Sequence, residues 1–443
     1  MNVESLCSAI SQLPATENCL LTSSGAVSLT TLRKCAGIFA QNYRLGRGSR
    51  IALCGLSPTE LIKAIIAFDG KVNAILLLPA SMDEITSNEL IKSACCTHRL
   101  NTLENEPIPI LSKIYSDCIE KTNTTWLLAT SGTTGKPKLI EHSLATLCRT
   151  IKRDPLRGAE FIWGLLYDPC RFAGIQVFLQ ALLSSSVLSV PDSMDFEAQV
   201  VALLKNRVNA LSATPSLWRK LLMDGRVAEL SLRQITLGGE IADQPILDAL
   251  KHCFPDARIV HIYASTEAGS VFAINDGFAG FPISLLDGVN APMPMRIRED
   301  GHLLVKPLLL PDGHEISCRI DADGYLDTQD LVKVQGNRVF FLGRASGAIN
   351  VGGNKVNPEE VENIIREVDG VFDVRVYGKK SSMMGQIVAA EILPAKGIKT
   401  ELLTKKIQFH CRQVLEKWQI PAFLFFVKEF KESAAGKKER LSI

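Results

Sequence analysis

The sequence has no long apolar run. Its most hydrophobic stretches, such as IWGLLY and ILLLPA, are too short to cross a bilayer, so no membrane span is expected. It has little charge of one sign. A formal net charge of +2 over 443 residues gives no electrostatic case for a general nucleic-acid binder. The 12 cysteines lack the spacing of a disulfide scaffold: Cys95 and Cys96 are the only close pair, and no C-x-x-C unit occurs. Reduced thiols in a cytoplasmic protein are expected, since a buried cysteine is in any case a small hydrophobe. The N-terminus, MNVESLCSAISQLPATENC, has no basic region leading into an apolar core, so no signal peptide is expected.

What is present is a globular composition, 46% hydrophobic and 22% charged, on a chain too long for one ordinary core. GSRIALCGL at 48–56 reads as a turn and a buried strand, PTELIKAIIAFDG as a helix ending at Gly70, and VNAILLLP as a second strand. That order predicts a layered α/β domain. The pattern continues through WLLAT at 126–130, ALLSSSVLSV at 181–190, LLKNRVNALSAT at 203–214, LRQITLGG at 232–239 and ARIVHIYA at 257–264. Short alternating segments follow near 327–345. Beyond them PEEVENIIREVDG reads as a helix with Pro358 in its first turn. FDVRVYGK and QIVAAEIL read as strands, and ELLTKKIQFHCRQVLEKW as a helix. About a hundred residues suffice for a separate small α+β domain.

The most informative stretch is LATSGTTGKPK at 128–138. A short apolar run feeds Thr130, Ser131, Gly132, Thr133, Thr134, Gly135, Lys136 and Lys138, and the pattern reads as strand, loop, helix. Small residues let backbone approach a polyphosphate, hydroxyls and N–H groups bond its oxygens, and lysine supplies charge. It is not the G-x-x-x-x-G-K-[ST] loop, because Pro137 stands where Ser or Thr is required. A second cluster is HIYASTEAG at 261–269, where a tyrosine can stack on a purine, a threonine can bond phosphate and a carboxylate can hold Mg²⁺. Alone it would also serve as a loop leading into a helix, with Glu267 offsetting the dipole.

Together these motifs resemble those of the adenylate-forming superfamily: acyl- and aryl-CoA synthetases, carrier-protein ligases, peptide-synthetase adenylation domains and luciferases. The resemblance extends from about residue 24 to residue 440. It implies a large N-terminal domain over 1–343 that binds ATP and a carboxylate, with a mobile C-terminal lid over 344–443. It also implies a mobile phosphate loop over 130–138, Tyr263 under adenine, Thr266 near phosphate and Glu267 on Mg²⁺. Gly238, Gly239 and Glu240 match the segment lining adenine and the acyl pocket, although a simple strand-end turn would look the same. Asp330 matches the carboxylate that takes both ribose hydroxyls, with Gln329 where the family usually has glycine, and Arg344 matches its companion arginine.

For the lid, the resemblance implies a hinge at Ser346, a thiol-facing motif with Gly352, Gly353 and Lys355, and a terminal lysine, Lys437, in GKKER. A flexible ammonium can stabilise the charge that grows as a carboxylate attacks the α-phosphate. The implied reaction makes acyl-AMP and then a thioester, with CoA or a carrier-protein phosphopantetheine as acceptor. The acid is the open question. His142, Arg171, Phe172, Gly174, Thr214, Gly238 and Ala264 fall in or near the implied pocket. His142 and Arg171 would serve equally well as surface or structural side chains. Asp168 invites comparison with the carboxylate that holds an amino acid's ammonium group. An acyl- or aryl-CoA synthetase is expected, ahead of a stand-alone carrier-protein ligase and a nonenzymatic nucleotide-binding scaffold. The sequence leaves monomer or dimer open.

Overall fold

The computed structural model describes residues 5–14, 19–43, 45–102, 108–109, 123–130, 138–288, 293–307, 318–381 and 384–430. Residues 131–137, within the expected phosphate loop, and the terminal Lys437 lie outside them.

The run AILLL forms the strand Ala74–Leu78, buried at every position, as expected for a strand covered on both faces. It lies between Arg50–Cys54 and Thr125–Thr130, parallel to both, in a six-stranded sheet closed by antiparallel edges. Ser57 and Glu60 cap the preceding helix Pro58–Phe68 reciprocally, fixing where it leaves the first strand. A second sheet of eight strands has the order Gly269–Ile274, Arg258–Ser265, Gln234–Gly238, Ala210–Ala213, Ile162–Gly164, Val187–Ser189, Leu20–Thr22 and Gly25–Val27. Its six inner strands run parallel. One core runs from Ile51 and Trp126 on the smaller sheet, through Phe68 and Phe178 on helices, to Leu20 and Leu188 on the larger.

A five-stranded antiparallel sheet follows, including His302–Val305, Leu326–Gln335 and Arg338–Arg344. The chain then enters a smaller domain with a core of its own. Its sheet holds the strands Ile349–Val351, Asn354–Val356, Val371–Ser381, Gly385–Pro394 and Phe423–Phe426, covered by helices Pro358–Arg366 and Thr400–Val414. The expected architecture of a large α/β domain and a small α+β domain is therefore present.

Several local expectations are corrected. Residues 138–142 form a strand antiparallel to Thr125–Thr130, with Ala129 opposite Leu139, where a helix was expected; a short helix starts only at Leu144, after Ser143. The HIYASTEAG segment leads into a second strand rather than a helix: His261–Ser265 end the strand Arg258–Ser265, and Thr266–Ala268 turn into the antiparallel strand Gly269–Ile274. ALLSSSVLSV is divided, because its first residues end the helix Phe172–Leu183 and only Val187–Ser189 is strand. That helix is buried on nearly all sides, which removes the periodicity that separates helix from strand. LLKNRVNALSAT divides in the same way, helix to Lys205 and strand over Ala210–Ala213. The last helix stops at Val414 rather than continuing to Trp418.

Candidate active site

Parallel strands place their carboxyl ends on one side of a sheet, where ligand sites of open α/β folds form. Thr130, Gly238 and Ser265 end three such strands. After Gly238 the chain turns through Gly239, whose φ of +80° suits glycine. Glu240 then accepts a hydrogen bond from the Ser216 N–H at 2.9 Å, and the Tyr167 hydroxyl donates to the Gly238 carbonyl at 3.2 Å. Thr214 caps the helix Pro215–Asp224, accepting from the Leu217 N–H at 3.1 Å. The Gly238–Glu240 turn and the Thr214 cap thus share one wall.

Thr266 and Glu267 occupy the hairpin turn after Ser265. Ser265 Oγ accepts from the Ala268 N–H at 3.0 Å, and Arg149 donates Nη2 to the Ala268 carbonyl at 2.6 Å and the Ser270 carbonyl at 3.4 Å. Gly269 has a φ of +71°, and a Cβ there would stand 2.7 Å from Arg149 Nη2. Arg319 pairs with Glu267 at 3.2 Å. Burial works against ionisation of Glu267, but backbone hydrogen bonding, Arg319 and Arg344 prevail and hold its carboxyl below the ordinary range. Neither Arg149 nor Arg319 was evident from sequence. Arg149 lies 119 residues from the carbonyl it holds, and no motif spacing connects them.

His142 belongs to the same neighbourhood and is not a surface residue. It is 4% exposed, its ring lies 5.6 Å from that of Phe172, and its Nδ1 is 3.3 Å from Thr146 Oγ1. Its Nε2 has no hydrogen-bond partner among the described residues. Burial pushes its pKa down to about 4, partly opposed by the Glu267 carboxylate and the Thr266 backbone. His142 is therefore a neutral imidazole at pH 7.

Asp330 links this turn to the antiparallel sheet. Its Oδ2 accepts from the Tyr263 hydroxyl at 2.5 Å and its Oδ1 from Arg344 Nε at 3.3 Å. The Tyr263 ring packs 4.7 Å from Phe341 and 5.3 Å from Phe272. Burial, followed by the charge of Asp330, pushes its phenol well above the ordinary range, so it stays a donor. Gln329 has a φ of +63°, the left-handed region that glycine adopts without strain. Gln329, which stands where the resemblance expects glycine, is thus in a conformation that suits glycine better.

Arg171 precedes the helix Phe172–Leu183 and donates Nη1 to the Ala129 carbonyl at 2.6 Å; its Nε is buried without a partner among the described residues. Asp168 accepts from the Cys170 N–H at 2.8 Å. Burial pushes the Cys170 thiol well up, so it is no nucleophile. Gly174 answers a packing need, since a Cβ there would lie 2.2 Å from the Asp168 carbonyl oxygen. Ala264 faces Ser270 across the hairpin. Lys138 opens its strand opposite Thr130.

In the smaller domain, Gly352 and Gly353 form the turn of a β-hairpin, with φ of +57° and +95°, between Ile349–Val351 and Asn354–Val356. Gly352 N–H donates to the Met384 carbonyl at 2.9 Å and Gly353 N–H to Asn350 Oδ1 at 3.0 Å. Lys355 follows opposite Asn350. Ser346 lies in a short 3₁₀ turn, Ala345–Gly347, between the antiparallel sheet and the sheet of the smaller domain.

Among the described residues no group of three or more His, Cys, Asp or Glu side chains could hold a metal ion by itself. One ionised carboxylate, Glu267, fits the way Mg²⁺ is held with substrate phosphates, through few protein ligands. Tyr263, Asp330 and Arg344 fit the polar and aromatic parts of a nucleotide.

The profile of the AMP-binding enzyme family matches residues 58–295, and that of the AMP-binding enzyme C-terminal domain matches residues 360–437. The 2-succinylbenzoate–CoA ligase of Listeria innocua is 23% identical over 443 residues, covering 92% of this chain and 91% of that protein. The structure of ATP-bound MatB from Rhodopseudomonas palustris superposes with a TM-score of 0.77 at 18% identity, covering 98% of this chain and 97% of that one. The o-succinylbenzoate CoA synthetase of Bacillus subtilis, in complex with the acyl-adenylate intermediate OSB-AMP, gives 0.73 at 17% identity, with 98% and 96% covered.

Proposed function

We propose, from the premise that this chain belongs to the AMP-binding enzyme family, that it activates a carboxylic acid with ATP and passes the acyl group to a thiol. The acid's oxygen attacks the α-phosphorus and pyrophosphate leaves; the thiol sulfur then attacks the acyl carbon, AMP leaves with that oxygen, and the thiol proton passes to solvent. Mg²⁺ would neutralise charge on the phosphates during the first step.

The observation that carries this reading is the Thr266–Glu267 turn joined through Tyr263 to Asp330 and Arg344. Glu267 is kept ionised and would help hold Mg²⁺, while Thr266 offers a hydroxyl to phosphate. Each Asp330 oxygen accepts one hydrogen bond, from Tyr263 or from Arg344, and keeps a second lone pair with which the carboxylate could take two ribose hydroxyls. Tyr263 supplies an apolar face for adenine. Lys437 would reach the α-phosphate as charge develops, and the Gly352–Lys355 hairpin would serve the thiol. The lid's turn at Ser346 would exchange the two.

CoA is the proposed acceptor, supported by the relative named as a CoA ligase. A carrier-protein phosphopantetheine is the alternative. Amino-acid activation is less well supported, because burial pushes the Asp168 carboxyl above its ordinary range and so disfavours the charged form that an ammonium group would need.

The test is pyrophosphate exchange with Mg²⁺-ATP across aliphatic, aromatic, dicarboxylic and amino acids, beside Lys437→Ala. Exchange with one class, falling by about a hundredfold or more in the variant, is expected. CoA and holo-carrier protein are then compared as acceptors. A folded protein that binds ATP but exchanges with no acid would defeat this reading.

A further inference from the structure

The large domain and the lid have separate cores, so their relative orientation depends on the contact between them. That contact contains a buried cluster of charge. The large domain contributes Arg219, on the helix Pro215–Asp224, and Asp243, which caps the helix Gln244–Cys253. The lid contributes Glu362 and Arg366 from the helix Pro358–Arg366 and Asp373 from the strand Val371–Ser381.

Asp243 Oδ2 accepts from Arg219 Nη2 at 2.5 Å and lies 3.2 Å from Arg366 Nη1. Arg366 also donates Nε to Asp373 Oδ1 at 3.0 Å and Nη2 to Glu362 Oε2 at 3.2 Å. Arg219 Nε stands 4.0 Å from the same Asp373 oxygen. None of the five side chains is more than 9% exposed. Glu362 Oε1 accepts from the Val376 N–H at 2.9 Å, which anchors the lid side of the cluster.

Such a cluster adds little net stability over apolar packing, because desolvation offsets the Coulomb attraction. It is unforgiving of geometry, however. Separating its members while they stay buried leaves charges without partners, so it selects one orientation of the two domains. Its large-domain members are also tied to the site wall. Arg219 is on the helix that Thr214 caps, and Asp243 follows Glu240 by three residues.

We propose that Arg219 and Asp243 are positioning residues for the lid, forming with Arg366 and Asp373 an interdomain latch that holds one lid orientation and must open before the lid can turn. Its consequence for catalysis rests on the two-step reading above; the latch itself does not.

Asp243→Asn removes the charge and keeps a residue able to cap the helix, where Asp243 Oδ1 now accepts from the Ile246 N–H at 3.1 Å. Amide hydrogen exchange is measured on the full chain for wild type, D243N, Arg366→Met and the double variant. Exchange in the segments 244–248 and 359–366 is expected to rise by about tenfold or more in D243N. In segment 244–248 the double variant should exceed the faster single variant by little, because both changes remove the Asp243–Arg366 contact. Strands Ala74–Leu78 and Gly385–Pro394 should keep wild-type protection.

Unchanged exchange in the interface segments, or a rise that reaches those strands equally, would overturn the latch. If D243N fails to fold, Arg219→Met takes its place with the same expected pattern. Among active variants, the ratio of thioester formation to pyrophosphate exchange should shift several-fold, and an unchanged ratio would refute the catalytic consequence. Absence of exchange activity in the wild type would instead defeat the two-step reading, leaving hydrogen exchange to decide the latch.

Discussion

Gln329 holds a backbone conformation in which a side chain is strained, beside the carboxylate on which the nucleotide proposal depends. Gln329→Gly should relieve that strain and raise stability by about 1 kcal/mol, read by urea unfolding. A loss of stability would mean that the glutamine side chain makes up for its backbone. The departure from glycine was visible in the sequence, but its cost was not, because φ is set by a register irregularity within the strand Leu326–Gln335. His142 makes a second residue-scale case. Its pKa is about 6.5 unfolded and about 4 folded, so between these values unfolding takes up a proton. Its contribution is intact above 6.5 and is lost on acidification, on the order of 3 kcal/mol by pH 4. In His142→Gln the fall in stability from pH 6.5 to 4 should be shallower by up to one proton. The same slope in both proteins would contradict the burial argument. Sequence does not separate a buried histidine from a surface one, since its burial comes from the strand Lys138–His142, which stands in place of the expected helix.

Among the elements, the hairpin from Arg258 to Ile274 sets the geometry of the proposed Mg²⁺ ligand, and its turn is clasped by Arg149. Arg149→Met should leave Glu267 in place chemically while loosening the loop that carries it. Exchange activity should fall about tenfold or more, with a higher Mg²⁺ requirement, and Arg149→Lys should recover part of it. An unchanged Mg²⁺ dependence would remove Arg149 from the site. The motif itself was legible, because aromatic, hydroxyl and acidic residues fall together in nine positions. Its clasp was not, because tertiary contacts between remote residues leave no local pattern. Strand reading succeeded where burial on both faces produced runs such as AILLL. It failed where the apolar run belonged to a helix buried nearly all round, as at Phe172–Leu183.

For the whole molecule, a large α/β domain and a small α+β domain followed from the change in pattern near residues 327–345, and the structure has both. The buried charges between the domains could not have been found the same way, since Arg219, Asp243 and Arg366 read singly as solvated residues. The central claim is that an acid's oxygen bonds to the α-phosphorus and leaves with AMP. Turnover of an accepted acid labelled with heavy oxygen in its carboxylate, with ATP and a thiol, followed by mass analysis of the nucleotide, tests it directly. The account predicts AMP carrying one labelled oxygen from the acid. Unlabelled AMP, or ADP with label in free phosphate, would contradict it.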